Sequence, residues 1–136
     1  MSVKTHMYLY AFCLEANTKF IKFGVSSNPI DRLKHVQMCS PFLITPLSFS
    51  GLLDRVAAYE LERLTHIALA DFHVRLEWFK CCPKTIAFAK LMKNQSAERL
   101  YEIVSGWAAH DDRYSALKAG HMRTIHTIAS GKRLLS

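Results

Sequence analysis

The chain has 136 residues, half of them apolar, so it can bury the core of one domain without a disulfide or a metal. Its formal charge is +7, from 18 lysines and arginines against 11 acidic residues, which argues against mimicry of DNA. The excess is greatest near the C-terminus, where no acidic residue follows Asp112. This asymmetry suits a polyanionic partner such as nucleic acid, with a solvated basic surface as the alternative.

Cysteine spacing argues against a metal or disulfide framework. None of Cys13, Cys39, Cys81 and Cys82 forms a CxxC pair, and the vicinal pair is a poor zinc pattern. The first residues show no signal-peptide pattern, and no run of 18 apolar residues could cross a membrane. We therefore expect free thiols in a reducing cytoplasm and no membrane association.

The first predicted element is an antiparallel hairpin. Residues 6–13, HMYLYAFC, alternate between two faces, as a strand does. Residues 20–25, FIKFGV, predict a second strand after a short polar turn. A turn centred near Ala16 would place Tyr10 and Lys22 across from each other on one face.

A helix and a third strand are predicted next. Asn28 is a good N-cap and Pro29 a good first helical residue, so the helix should cover about residues 29–39. Residues 42–49 predict the strand, in which Pro46 indicates an edge position or a bulge.

A longer helix is predicted over about residues 53–70. Its core stripe has helical spacing and consists of Ala57, Leu61, Leu64 and Ala68. Glu62 and His66 share a neighbouring stripe, whereas Glu60 lies about 200° round the helix from Glu62 and cannot serve the same site. Spacing alone leaves open whether Glu62 and His66 form a site or an ordinary surface pair.

The remaining third of the chain is predicted to be helical. One helix begins at Pro83, the next is capped by Ser96, and a last one covers about residues 112–130. Several apolar side chains here need a core, namely Ile86, Leu91, Leu100, Ile103 and Trp107. The sequence thus predicts an α+β fold, with a three-stranded antiparallel sheet flanked by helices in residues 1–82 and a basic helical extension packed on it in residues 83–136.

Five segments together resemble the GIY-YIG endonuclease superfamily, in a form common in bacterial and phage proteins. YLY at residues 8–10 stands at its first motif and KFG at residues 22–24 at its second. SSNPIDRLKHVQ places Arg32 at the family's arginine, and ELERLTH places Glu62 at its metal-binding glutamate. RLEWF at residues 75–79 matches an Arg-x-Glu-Trp-Phe signature. The resemblance covers about residues 6–80 and implies a GIY-YIG-like fold for that part.

The resemblance implies a metal-dependent endonuclease that hydrolyses DNA phosphodiester bonds, with Mg²⁺ or Mn²⁺ held by Glu62. Arg32 would contact the scissile phosphate through its planar fork. Tyr10 would act as general base or position the water, while Lys22 would stabilise the phenolate or be the base itself. His66 would be a supporting group or a proton donor.

Simpler interpretations of these residues stay open. Tyr10 could only cover the sheet edge, Lys22 could be a solvated strand lysine and His66 an ordinary helix histidine. The first motif has Tyr8 in place of its glycine, and the second has Lys22 in place of its tyrosine, which puts the usual proton transfer in doubt. Glu77 is expected to anchor its loop or to pair with Arg75 rather than to bind metal.

Contacts with nucleic acid are expected from Ser26 and Lys34, although helix capping explains Ser26 equally well. The same contacts are expected from the cations near the C-terminus, namely Arg113, Lys118, Arg123, Lys132 and Arg133. The alternative function is a catalytically inactive DNA-binding module, or a protein-binding regulator of the phage-inhibitor type with residues 83–136 as its interface. The oligomeric state is not predicted.

Overall fold

The computed structural model describes residues 6–14 and 19–108, which form an α+β fold. Its strands are β1 His6–Leu14, β2 Phe20–Ser26, β3 Ile44–Phe49, β4 Leu53–Asp54, β5 His73–Arg75 and β6 Trp78–Lys80. Its helices are α1 Pro29–Met38, α2 Arg55–Ala68, α3 Pro83–Met92 and α4 Ala97–Ala108, with a short 3₁₀ helix at Ala70–Phe72. The predicted α+β class is confirmed.

The sheet is larger than the three strands predicted. It has six strands in the order β3-β1-β2-β6-β5, with β4 paired to β1, and every pairing is antiparallel. The three missed strands are two or three residues long, which is too short for an alternating pattern to be detected. The RLEWF segment spans the end of β5, the turn and the start of β6, and these two strands form a hairpin on the edge of β2.

The register of the first hairpin differs from the predicted one by two residues. Lys22 lies opposite Phe12, and Tyr10 lies opposite Gly24, so Tyr10 and Lys22 are not direct partners. They still lie on the same face, because side chains repeat with a period of two along a strand. The predicted edge or bulge at Pro46 is confirmed, since β3 is an edge strand and its register with β1 shifts there.

The two faces of the hairpin enter different clusters. One face joins α2 and α4 in the larger core, whose members include Met7, Leu9, Ala11, Ile21 and Phe23. The other face carries Tyr10 and Phe12, which form a smaller cluster with Ile44, and α1 packs Leu33 and Val36 against it. The polar side chains described below lie on the second face, which carries the smaller cluster.

The predicted helices begin and end close to their expected bounds. α1 ends at Met38, and Asn28 Oδ1 accepts the Asp31 amide 3.1 Å away, as an N-cap does. α2 begins at Arg55 rather than at residue 53, because the two preceding residues pair with β1. No helix in the described ranges is long and apolar enough to cross a membrane.

The helices after residue 82 contribute to the larger core. Leu100, Ile103 and Val104 of α4 are buried in the same cluster as the hairpin and α2. The division of the chain near residue 82 stays a prediction. The predicted helix over about residues 112–130 lies outside the described residues.

Candidate functional site

Two strands and one helix each supply one residue to the face of the hairpin that carries the smaller cluster. β1 supplies Tyr10 and β2 supplies Lys22, both buried. Arg32 reaches back from the first turn of α1, and its Nε donates to the Tyr10 hydroxyl at 3.5 Å. Tyr10 is held in place by its ring, which stacks on Phe12 with 4.1 Å between centroids. The structure therefore brings the predicted tyrosine and arginine into contact.

Gly24 makes room for this arrangement. A Cβ atom at residue 24 would lie 2.5 Å from the Tyr10 hydroxyl oxygen and 2.7 Å from Oε1 of Glu77. Both distances are shorter than real Cβ contacts allow, so the position admits glycine only unless its neighbours move. The glycine is needed for space, and it lets a phenol and a carboxylate share the surface above the strand.

Glu77 lies in the candidate site, although the sequence was interpreted to place it outside. Its Oε1 lies 3.1 Å from the ammonium of Lys22, so the expected partner, Arg75, is the wrong one, and Arg75 is exposed. The β5–β6 hairpin brings Glu77 to β2, where the Phe23 amide donates to the Glu77 carbonyl at 3.1 Å. The Glu-Trp-Phe motif was the available signal, but its partner depended on a strand pairing that was not predicted.

Lys22 is surrounded by groups that compensate its charge. Its side chain is 9% exposed, Glu77 supplies the counter-charge, and the Trp78 ring lies 5.4 Å from the ammonium. A buried ammonium is costly unless it is paired, so this ion pair accounts for a lysine inside the sheet. The interpretation of Lys22 as a solvated strand lysine is wrong.

Glu62 approaches the same place from α2. It accepts a hydrogen bond from the Val25 backbone and shares another with the Glu77 carboxyl. Burial and the charge of Glu77 raise the pKa of Glu62 to about 7, which Lys22 opposes. Arg32 thus contacts Tyr10, and Glu77 contacts both Glu62 and Lys22. The Tyr10 hydroxyl and the Glu77 carboxylate both border the space above Gly24.

The Tyr10 phenol is neutral in this environment. Burial, the largest cause, raises the pKa of Tyr10 to about 12, and the hydrogen bond from Arg32 only partly offsets it. The same hydrogen bond raises the pKa of Arg32, which therefore stays cationic. In the free protein Tyr10 is consequently a hydrogen-bonding group and not a phenolate.

His66 supports the site from one helical turn after Glu62. Its Nε2 donates to the Phe23 carbonyl at 2.9 Å, since a carbonyl oxygen can only accept. Its ring also packs edge-on against Phe79, with centroids 5.0 Å apart. Burial lowers the pKa of His66, so the imidazole is favoured in its neutral form. Glu62 and His66 line one end of a cleft of about 450 Å³ that extends to His73.

The other predicted contact residues do not join this group. Ser26 Oγ accepts the Asn28 amide at 3.0 Å, which is a turn contact. Lys34 is exposed on α1, and two helical positions separate it from Arg32, so the two point to different sides. The five predicted cations after residue 112 lie outside the described residues.

The pair of carboxylates is suited to a hard divalent cation. Within residues 6–14 and 19–108, no group of three or more His, Cys, Asp and Glu could hold a metal ion. Mg²⁺ nevertheless keeps most of its waters and needs only one or two protein carboxylates. Glu62 and Glu77, which share a hydrogen bond, provide oxygen donors of that kind.

The chain belongs to the T5orf172 domain family, whose model matches residues 7–108. This match overturns the resemblance to the GIY-YIG endonuclease superfamily, because no model of that superfamily matches the chain. The resemblance depended on short segments, and a Tyr-x-Tyr or a glycine is common in antiparallel strands. Membership is consistent with a DNA-related function in coarse terms. No curated protein and no solved structure matches the chain significantly.

Gly24→Ala should destabilise the protein by about 1–3 kcal/mol, because the new methyl group overlaps the Tyr10 hydroxyl and the Glu77 carboxylate. Urea unfolding followed by circular dichroism measures the change. Gly106→Ala is the matched control, since that helical glycine has nothing within 4 Å of the added Cβ, and it should be neutral or stabilising. Equal stability of Gly24→Ala and wild type would contradict the crowding.

Glu62 should make the metal-free protein less stable as pH rises. Its pKa is about 7 in the folded chain against 4.5 for the ordinary side chain, so the folded state binds its proton more tightly. The contribution is fully present below about pH 4.5 and is lost as pH rises through 7. Partial exposure reduces it to on the order of 1–2 kcal/mol.

The measurement is the free energy of unfolding in EDTA between pH 4.5 and 7.5, compared with Glu62→Gln. The difference between the two proteins should decline over this range. A constant difference would show that the Glu62 carboxyl is not perturbed.

Proposed function

We propose that this member of the T5orf172 domain family is a metal-dependent endonuclease that hydrolyses phosphodiester bonds of DNA. The observation that carries the proposal is that Arg32 contacts Tyr10, Glu77 contacts Glu62, and Tyr10 and Glu77 both border the space above Gly24. This arrangement assembles an exposed cation, a hydroxyl and a pair of carboxylates. These are the groups needed to hold a phosphate, a water and a divalent cation.

Arg32 is assigned to the scissile phosphate. The residue is exposed, and its Nε is engaged by Tyr10, which leaves the two terminal nitrogens for phosphate oxygens. A guanidinium presents parallel donors that match two such oxygens. The contact with Tyr10 also explains why a cation is retained in the first turn of α1, where the helix dipole disfavours positive charge.

Glu62 is assigned to the cation, Mg²⁺ or Mn²⁺. Its environment favours a positively charged partner, because burial and the neighbouring Glu77 both disfavour two free negative charges. When bound, a divalent cation stabilises charge on the phosphoryl oxygens and lowers the pKa of a coordinated water.

Tyr10 is assigned to orienting the attacking water. Its neutral hydroxyl accepts from Arg32 and keeps its own proton for donation. Direct action as a base would require its pKa to fall far below about 12. Lys22 is assigned to electrostatic support at the same position, and His66 to holding α2 against β2 beside Glu62.

A binding module without turnover is the second candidate. The observation that favours it is that residues 6–14 and 19–108 hold no group of three metal ligands. Such a module would bind DNA, or a protein, through the face that carries Arg32.

One assay separates the candidates: supercoiled plasmid and short duplexes are incubated with the protein and Mg²⁺, Mn²⁺ or EDTA. Nicking with either metal and none with EDTA supports the endonuclease, whereas binding without nicking supports the module.

In Glu62→Gln the rate of metal-dependent cleavage should fall by about 10²-fold or more, and the affinity for DNA should stay close to that of wild type. The substitution keeps the shape of the side chain and removes the charge that holds the cation. Initial rates of plasmid nicking and fluorescence anisotropy in EDTA measure the two properties. Glu102→Gln is the control, since Glu102 is exposed and pairs only with Arg99 among the contacts described for it. Loss of both properties in Glu62→Gln would contradict the assigned role.

Arg32→Lys should reduce cleavage on the order of 10²-fold although it retains the charge, because lysine cannot make two parallel contacts with phosphate. Plasmid nicking at saturating DNA measures the rate. Arg99→Lys is the matched control on an exposed helix position. Cleavage by Arg32→Lys at a normal rate would show that a point charge is sufficient.

A further inference from the structure

The turn that carries Glu77 adopts an unfavourable backbone conformation. Leu76 has a φ of 53°, which residues other than glycine rarely adopt, and its side chain is exposed. Hydrogen bonds hold the turn on both sides: His73 Nε2 donates to the Leu76 carbonyl at 2.7 Å, and the Phe23 amide donates to the Glu77 carbonyl. Strained turns persist where the surrounding structure over-determines them, often at functional sites.

The Glu77 side chain is not needed to hold this hairpin. The backbone of β6 pairs with β2 from Phe20 to Lys22, and Phe79 is fully buried in the larger core. The carboxylate points instead to the polar face, where Oε1 meets Lys22 and the space above Gly24. Within the described ranges Oε1 is buried and has no hydrogen-bond donor in good geometry, so its contact with Lys22 is an ion pair.

Lys22 depends on this carboxylate. Its side chain is nine-tenths buried, and its ammonium lies 3.1 Å from Oε1 of Glu77 and 5.4 Å from the centre of the Trp78 ring. A buried charge that loses its partner either moves to solvent or destabilises its surroundings. The position of Lys22 is therefore set by the charge of Glu77, while the ring alone provides a weaker attraction.

We propose that Glu77 is a positioning residue of the same site, which acts through Lys22: its carboxylate holds the ammonium within the sheet, against the Trp78 ring. The inference rests on the proposed endonuclease function. Arg32, which is assigned to the phosphate, does not touch Glu77, so the residue should act on the reaction rather than on DNA affinity.

Steady-state cleavage kinetics test this inference in the full-length protein. Glu77→Gln should lower kcat on the order of 10-fold to 10²-fold and change KM for DNA by less than about 3-fold. Glu77→Asp keeps the charge and should recover part of the lost rate. Glu102→Gln, outside the site, should leave both constants unchanged. A normal kcat in Glu77→Gln, or an Asp variant no better than the Gln variant, would overturn the inference.

A double-mutant cycle tests whether Glu77 acts through Lys22. Because the two groups form one ion pair, Lys22→Met combined with Glu77→Gln should be no slower than the slower single variant. Multiplied losses in the double variant would show that the two residues act independently and would overturn the inference.

Trp78 provides a readout that does not require cleavage. The protein has two tryptophans, so Trp107→Phe leaves Trp78 as the single tryptophan. The Trp78 ring lies 5.4 Å from the Lys22 ammonium. In this background Glu77→Gln and Lys22→Met should shift the emission of Trp78 in the same direction, and Glu102→Gln should not. Unchanged emission in Glu77→Gln would overturn the positioning role even if the rate falls.

The outcomes distinguish this inference from the proposed function. If wild type cleaves DNA and Glu77→Gln has normal kinetics, the role proposed for Glu77 is contradicted and the endonuclease function is not. An absence of cleavage by wild type with every metal removes the endonuclease, and with it the role of Glu77 in the reaction. If Glu77→Gln fails to fold, Glu77→Asp and Lys22→Met carry the same comparison.

Discussion

The close approach of Tyr10 and Glu77 above Gly24 is the constraint on which the site depends. One missing Cβ lets a phenol from β1 and a carboxylate from the β5–β6 hairpin occupy the same surface of β2. Several polar contacts of the site are made to these two groups. Arg32 is oriented by the phenol, whereas Lys22 and Glu62 are both oriented by the carboxylate. A side chain at residue 24 would separate the halves of the site.

The two neighbouring carboxylates, Glu62 and Glu77, give the site an electrostatic environment that favours a positively charged partner. Two carboxylates share a hydrogen bond, and the ammonium of Lys22 lies 3.1 Å from one of them, Glu77. Burial, the largest cause, and the charge of Glu77 raise the pKa of Glu62 to about 7, and burial likewise raises the pKa of Tyr10 and keeps its phenol neutral. A divalent cation would relieve the repulsion between the carboxylates, and Arg32 faces solvent where an anionic ligand can arrive.

The larger apolar core and the cluster around Tyr10 lie on opposite faces of the hairpin. The larger core packs α2 and α4 on one face of the hairpin and buries side chains of both strands. The opposite face is covered by α1, which buries Tyr10, while Arg32 of α1 is exposed. His66 links the two regions, because its ring packs on Phe79 of the larger core while its Nε2 bonds to β2 beside the site. The membership of the chain in the T5orf172 domain family covers both regions.

Local patterns in the sequence were enough to predict the hairpin, α1 with its Asn-Pro start, the edge strand at Pro46, and the separation of Glu62 from Glu60. These features depend on periods of two and 3.6 residues and on capping, which neighbouring residues encode. The short strands β4, β5 and β6 and the register of Lys22 against Phe12 required the folded chain, because two or three residues carry no periodic signal. Glu77 required it as well. Its partner is 55 residues earlier in the chain, and only the pairing of β6 with β2 brings the two charges to 3.1 Å.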